Sequence, residues 1–319
     1  MIVATHGNCL DGLASAALFT RLIRHVEPDI REFQYRTCIY GPTPLSFGPQ
    51  MLNGDSNAIL DYRFYPGAEL TWYFDHHTTA FSNQTESEVF QSRVGTGKYH
   101  FDPKSASCAG LISRVSERDF GLSLGHLESL VEFADLVDSA RFQSAAAALD
   151  RSNPRARFLA VVERFGNDDF VSRMAASFQE MSLDQVADLP ESAEAFSLIA
   201  HEQTDFLDHV RGCTDDRGAV VVSDISDREH PTFAKFASYF LFPQSTYSVL
   251  LGRIPGALKI ALGFNPWGPR VRQHDLGSIC RRFGGGGHPV VGGVAFAPHE
   301  TRAAKAVLKE IVGLLEHNE

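Results

Sequence analysis

The residues in this chain best suited to chemistry are Asp75, His76 and His77, which follow directly on the apolar run Leu70-Thr71-Trp72-Tyr73-Phe74. β-Branched and aromatic residues dominate that run, so it reads as a buried strand. A carboxylate and two imidazoles at the end of such a strand are costly to hold there unless a ligand uses them. The carboxyl edge is also where open α/β sheets bind their ligands. A metal-assisted reaction is the first chemistry these side chains suggest.

Other places repeat the pattern. His6 follows the apolar opening Ile2-Val3-Ala4-Thr5, and Asp11 comes shortly after it, just before Gly12 and a helix. Asp61 closes Ala58-Ile59-Leu60, and Asp138 stands where the apolar stretch around Phe133 ends. Each has an ordinary reading when taken alone. Asp11 could cap a helix, Asp61 could start a turn, His6 could be packed or solvated, and Asp75 could cap a loop. Jointly these readings weaken, because the strand ends of a parallel sheet converge along one edge. Carboxylates crowded there repel one another, and their pKa values rise unless a cation compensates. Mixed oxygen and imidazole ligands suit manganese, iron, cobalt or zinc better than an oxygen-only calcium cage. Two ions about 3.5–4 Å apart, sharing one carboxylate, would clamp both oxygens of an in-line phosphoryl displacement.

The hydrophobic pattern supplies the elements that must position these groups. It predicts strands over 2–5, 32–35, 58–62 and 70–74, with helices over about 12–25, 105–117 and 127–136. Such alternation predicts an α/β fold with a parallel sheet and helices on both faces. From about 154 to 212 the pattern is helical and charged, with one long helix expected over 192–210. Strands over 218–222, 247–251, 258–262 and 290–296, with helices over 276–283 and 302–316, then predict a smaller C-terminal α/β domain. The expected organisation is 1–185 for a metal-binding catalytic domain, 186–214 for a helical linker and 215–319 for a substrate-binding domain.

Composition narrows the partners. With 319 residues and a formal charge of −10, the chain is poorly suited to coat duplex nucleic acid through a broad basic face. A small anionic substrate at one site is compatible with that charge. The first residues lack the basic and apolar regions of a signal peptide, and no apolar stretch approaches the roughly 20 residues of a membrane span. Five scattered cysteines fit a reducing cytoplasm and form no zinc motif. The sequence is nearly silent on oligomeric state, and a homodimer is compatible with it.

Asp75-His76-His77, together with His6, Asp11-Gly12, Asp61 and Asp138 in that order, resembles the motif series of the DHH phosphoesterase superfamily from end to end. Downstream, Phe283-Gly284-Gly285-Gly286-Gly287-His288-Pro289 resembles the glycine-rich loop of the domain associated with it. The resemblance implies an N-terminal parallel-sheet DHH domain, a smaller C-terminal α/β domain and an active-site cleft between them. It implies two divalent ions, Mn2+ foremost. His6 and Asp61 would hold one ion, and Asp11, Asp61, His76 and Asp138 the other, with Asp61 bridging. Asp75 would orient His76 or act as a weak ligand, while His77 would face the scissile phosphate. Gly285, Gly286, Gly287 and His288 would bind substrate phosphate, with Arg270 and Arg272 as further contacts. Trp267 could stack on a base or simply pack in the core.

One motif departs from the family pattern. Cys9, with Asn8 beside it, stands where the family usually has a further aspartate. Cys9 would then offer a softer ligand to the first ion, or leave a one-metal centre. The reading that follows is a metal-dependent phosphoesterase using metal-activated water. Its substrates would be small or single-stranded: short oligoribonucleotides, cyclic dinucleotides or phosphoadenosine phosphates. The alternatives are a degenerate, non-catalytic nucleotide or phosphate binder, and an exopolyphosphatase-like hydrolase. An unrelated hydrolase with Cys9 as nucleophile and His6 as base would leave Asp61, Asp75 and Asp138 unexplained.

Overall fold

In the computed structural model, which describes residues 1–39 and 50–317, the apolar opening forms strand β1 (Ile2–His6). It is followed by α1 (Leu10–Val26), β2 (Gln34–Cys38), β3 (Asn57–Leu60), β4 (Trp72–Asp75), α2 (Gln84–Val94), β5 (Tyr99–Phe101), α3 (Cys108–Phe120) and α4 (Glu128–Asp138). The five strands pair in parallel in the order β2-β1-β3-β4-β5. From β1 the chain moves outward to β2, then crosses to β3 on the opposite side of β1. Strand order therefore reverses between β1 and β3, the kind of place where open α/β sheets hold ligands.

Side-chain parity along β4 decides what each face of this sheet carries. Trp72 and Phe74 point to the α1 side, with ring centroids 5.7 and 6.0 Å from that of Phe19. Tyr73 points to the other side, against Phe64 and Phe90 at 5.1 and 5.9 Å. Asp75 shares the Tyr73 face and accepts a hydrogen bond from the Tyr73 hydroxyl at 3.0 Å. Helix α1 lies close under β1, and Gly12 makes that approach feasible. A Cβ at Gly12 would stand 2.1 Å from the His6 carbonyl oxygen.

The next helices are α5 (Ala145–Leu149), α6 (Pro154–Phe165), α7 (Asp168–Ser177), α8 (Leu183–Ala187), α9 (Pro190–Ile199) and α10 (Glu202–Gly212). The single helix expected over 192–210 is thus two, interrupted at Ala200 and His201. The described residues divide into two compact units, one of 1–39, 50–142 and 151–197, the other of 143–150 and 198–317. The interruption falls close to where the chain passes from one unit to the next, so α9 and α10 do not share one core.

The second unit carries β6 (Thr214–Asp216), β7 (Val220–Glu229), α11 (Ala237–Leu241), β8 (Tyr247–Ile254), β9 (Ala257–Phe264), α12 (Leu276–Arg281), β10 (Gly286–His288), β11 (Val291–Phe296) and α13 (Thr301–Glu316). Its mixed sheet runs β10-β11-β9-β8-β7-β6, with β7 and β8 parallel and the other pairs antiparallel. Leu276, Ile279, Leu308, Ile311 and Leu315 from α12 and α13 close its core over Val249, Leu251, Leu258 and Ile260. Residues 318 and 319, the end of the expected C-terminal domain, lie outside the described residues. Among the described residues no helix is long and apolar enough to cross a membrane.

The close approach at Gly12 gives a direct test. Gly12→Ala should overpack the α1–β1 junction and lower stability by about 1–3 kcal/mol, read from chemical denaturation. An unchanged unfolding midpoint would show that the junction yields without cost.

Candidate active site

Five elements deliver their side chains to one place at the carboxyl edge of the parallel sheet. His6 ends β1, Asp61 follows β3, and Asp75, His76 and His77 end and follow β4. Asp11 comes from the first turn of α1, and Asp138 is the last residue of α4. Asp138 arrives from a helix C-terminus rather than a strand end, in keeping with the helical periodicity expected over 127–136.

Asp61 is the hub. It is completely buried, and its backbone is left-handed (φ 55°), which ends β3 at Leu60 and turns the carboxylate toward both neighbouring strands. Its Oδ2 lies 3.5 Å from His6 Nδ1, and its Oδ1 lies 3.6 Å from His76 Nε2 and 3.7 Å from His77 Nδ1. His76 Nε2 also lies 3.5 Å from Asp11 Oδ2 and 3.3 Å from Asp138 Oδ2.

The supporting contacts separate the two histidines. His76 Nδ1 sits 3.1 Å from the Ser105 carbonyl oxygen, which can only accept. The proton of a neutral His76 ring is therefore on Nδ1, and Nε2 turns its lone pair to the carboxylates. His77 Nδ1 instead donates to Asp75 Oδ1 at 2.8 Å. Asp75 also accepts from the His76 and His77 amides and from Tyr73, so its oxygens are already engaged. The side-chain contact of Asp75 is thus with the His77 ring, and its contact with His76 is to the backbone amide. Asp11 accepts from the Cys108 and Ala109 amides, at 2.7 and 2.8 Å, at the start of α3. Neither the Ser105 carbonyl nor these amides left a signal in the sequence, whereas Tyr73 could have been found two residues before Asp75 on the same face.

Whether these groups fit a metal is decided by what they lack. Both Asp61 oxygens and His76 Nε2 are buried without a hydrogen-bond partner. Oxygen and imidazole donors left in that state fit a divalent cation. Among the described residues, three groups could hold one: His6 with Cys9 and Asp61; Asp61 with His76 and His77; and Asp11 with His76 and Asp138. Within each group, one ligand atom per residue lies within 4.8 Å of the others.

No protein-family model matches the sequence, and no curated protein matches it either. Solved structures do match in fold. The pGpG-specific phosphodiesterase PggH of Vibrio cholerae superposes with a TM-score of 0.61 at 20% identity, covering 98% of both chains. A DHH domain from a member of a family of ribosomal proteins gives 0.56 at 12% identity, over 98% of this chain and 86% of that one. The exonuclease RecJ bound to manganese gives 0.51 at 14% identity, over 100% of this chain and 91% of that one. The chain has the DHH fold.

Within this DHH fold the electrostatics call for positive charge at the centre of the cluster. Burial, followed by the charges of Asp61 and Asp138, pushes the Asp11 carboxyl well above its ordinary 3.8. Burial works against a charged His76 ring, but Asp61, Asp11 and Asp138 raise its pKa from 6.5 to about 11. Burial would likewise raise Asp61, yet the surrounding His6, His76 and His77 pull it below the usual carboxylate range.

The residues expected to bind substrate lie in the second unit. Arg270 and Arg272 are exposed, and each donates to a backbone carbonyl, of Gln244 at 3.2 Å and of His274 at 2.8 Å. The expected glycine loop is in part a strand, since Gly286, Gly287 and His288 pair with β11. Gly287 has φ 142°, and a Cβ there would stand 2.3 Å from the Val291 carbonyl oxygen, so close pairing with β11 constrains that position to glycine. Around Gly284 and Gly286 there is open space. Trp267 packs with its ring 5.4 Å from Phe236 and 6.4 Å from Tyr239.

Because its neighbouring carboxylates raise the His76 pKa, a divalent ion bound at Nε2 would compete with a proton there. Uptake of Mn2+ near neutral pH should release about one proton, seen as a binding enthalpy that varies with buffer. Affinity should rise with pH, and His76→Ala should remove the coupling. Binding without proton release would place the ion away from His76.

Proposed function

We propose that this protein is a metal-dependent phosphoesterase that hydrolyses phosphate esters of small or single-stranded nucleotide substrates. The observation that carries the proposal is the Asp61 carboxylate, buried and unpartnered on both oxygens among His6, His76 and His77. A protein that only bound phosphate would gain nothing from clustered carboxylates, which repel the anion it holds.

In this proposal His6 and Asp61 hold one ion, and Asp11, Asp61, His76 and Asp138 the other, with Mn2+ as the first candidate. Bound divalent ions would lower the pKa of a water and offset charge on the phosphoryl oxygens. The chain's own residues do the rest. Asp75 fixes the His77 ring through Nδ1, which leaves Nε2 as the atom to meet substrate. Burial lowers the pKa of His77, but the hydrogen bond and charge of Asp75 outweigh it and leave the value raised. A protonated His77 can then donate to a phosphoryl or leaving-group oxygen. Gly285, Gly286, Gly287, His288, Arg270 and Arg272 of the second unit are assigned to substrate phosphate, with Gly287 also constrained by packing.

Two facts support a short substrate. The chain matches over 98% of both lengths a protein described as specific for pGpG. Its own charge of −10 disfavours a long polyanion.

The test is phosphate-ester hydrolysis with added Mn2+, offered a linear guanosine dinucleotide, a short oligoribonucleotide and a phosphoadenosine phosphate. Turnover abolished by chelation is expected; bound metal without turnover on any of them would favour the binding-protein reading. His77→Ala should lower kcat by roughly 10²–10⁴-fold with metal content retained. Because the raised pKa keeps His77 protonated above the ordinary 6.5, kcat should fall only as pH rises through that raised value. Asp75→Asn should move this alkaline limb to lower pH. His288→Ala should act mainly on KM, and loss of metal from that variant would overturn its assignment.

A further inference from the structure

The position where this chain departs from the family pattern has its own geometry. Cys9 occupies the N-cap of α1 in an extended conformation (φ −135°, ψ 133°) and makes no side-chain cap hydrogen bond. Ser, Thr, Asn or Asp would stabilise that position by about 1 kcal/mol over a residue that cannot cap. The sulfur is instead grouped with His6 and Asp61, one ligand atom of each lying within 4.8 Å of the others. Neighbouring Asn8 is turned elsewhere. Its left-handed backbone (φ 53°) is tied to the Gly166 carbonyl at 2.9 Å, and its amide donates to the Glu163 carbonyl at 3.1 Å. Of the Asn8-Cys9 pair, only the thiol is offered to Asp61.

Two further features favour a thiolate ligand there. The N-cap places the Cys9 sulfur at the positive end of α1, a helix of 17 residues, where an anionic ligand is favoured. Asp61 is 0% exposed and unpartnered on both oxygens, so it can face an ion on either side. On one side stand imidazole and sulfur, from His6 and Cys9. On the other stand His76 and the carboxylates of Asp11 and Asp138. Thiolate donors select Zn2+, Fe2+ or Co2+, whereas carboxylate-rich sets suit Mn2+ or Mg2+.

We infer that the metal centre has two unlike positions, a thiolate-bearing one at His6, Cys9 and Asp61 for a softer ion, and a carboxylate-rich one at Asp11, His76 and Asp138 for a harder ion. The inference rests on the metal-dependent reading above and adds the selectivity of each position.

Titration of the full chain with Co2+ tests it. A thiolate-to-cobalt charge-transfer absorption in the near ultraviolet should grow and saturate at about one equivalent of ion. Cys9→Ser should abolish the band and weaken Zn2+ binding by about a hundredfold or more, with Mn2+ affinity, read by electron paramagnetic resonance, changed only a few-fold. Cys213→Ser, at the exposed cysteine, should leave the band in place. Mn2+ binding with no cobalt band, or a band that survives Cys9→Ser, overturns the thiolate position alone. Failure of both Co2+ and Mn2+ to bind overturns it together with the metal-dependent reading.

Discussion

Asp61 is fully buried, and its carboxylate depends on the surrounding imidazoles of His6, His76 and His77 to hold its charge. Removing a carboxylate from water without a partner costs several kcal/mol, and the surrounding structure is organised around that cost. The left-handed turn at Asp61 carries strain of its own, on the order of 1 kcal/mol or more. It is held by the hydrogen bond from the Asp61 amide to the Phe74 carbonyl at 2.9 Å, which locks the turn to β4. The carboxylate thus stays between His6 of β1 and the histidines after β4, at the point where strand order reverses. A cation among these residues would offset the cost of burying that carboxylate.

The helices around this carboxylate do not all assist in the same way. Asp11 receives two amides from the N-terminus of α3, where the helix dipole favours an anion. Asp138 is the last residue of α4, where the same dipole disfavours one. That helix is closed by Ala140 in a left-handed conformation and by the Arg141 amide donating to the Leu136 carbonyl at 3.0 Å, so the adverse placement is fixed in the backbone. A carboxylate held at the wrong end of a helix, aimed at an imidazole shared with two other carboxylates, makes sense chemically when positive charge occupies the space between them.

Adjacent histidines acquire different work from the alternation of a strand. Asp75 and Tyr73 share one face, and Asp75 saturates its oxygens on Tyr73, on the two following amides and on the His77 ring. His76 points to the opposite face, where α1, the loop before α3 and α4 supply Asp11, the Ser105 carbonyl and Asp138. Two identical side chains, adjacent in sequence, thus have different partners: in the proposed function one would offer a ring nitrogen to a cation and the other would be held for proton donation. In the second unit, packing constrains Gly287 to glycine, while Gly284 and Gly286 keep open space around them.

The sequence by itself determined the α/β class and most of the elements near the cluster, because β1, β3 and β4 are short apolar runs and α1, α3 and α4 keep helical spacing. It also picked out His6, Cys9, Asp11, Asp61, Asp75, His76, His77 and Asp138, since ionisable residues at the ends of apolar runs are rarely decorative. What it left open depended on distance across the fold. The different contacts of His76 and His77, the engagement of Asp75 and the meeting of Asp138 with His76 depend on which face or terminus meets which neighbour. The break between α9 and α10 likewise follows from where one core ends. Local periodicity reports burial, whereas the charge balance at Asp61 is set by groups far apart in the chain, and only the folded sheet brings them within a few ångströms of one another.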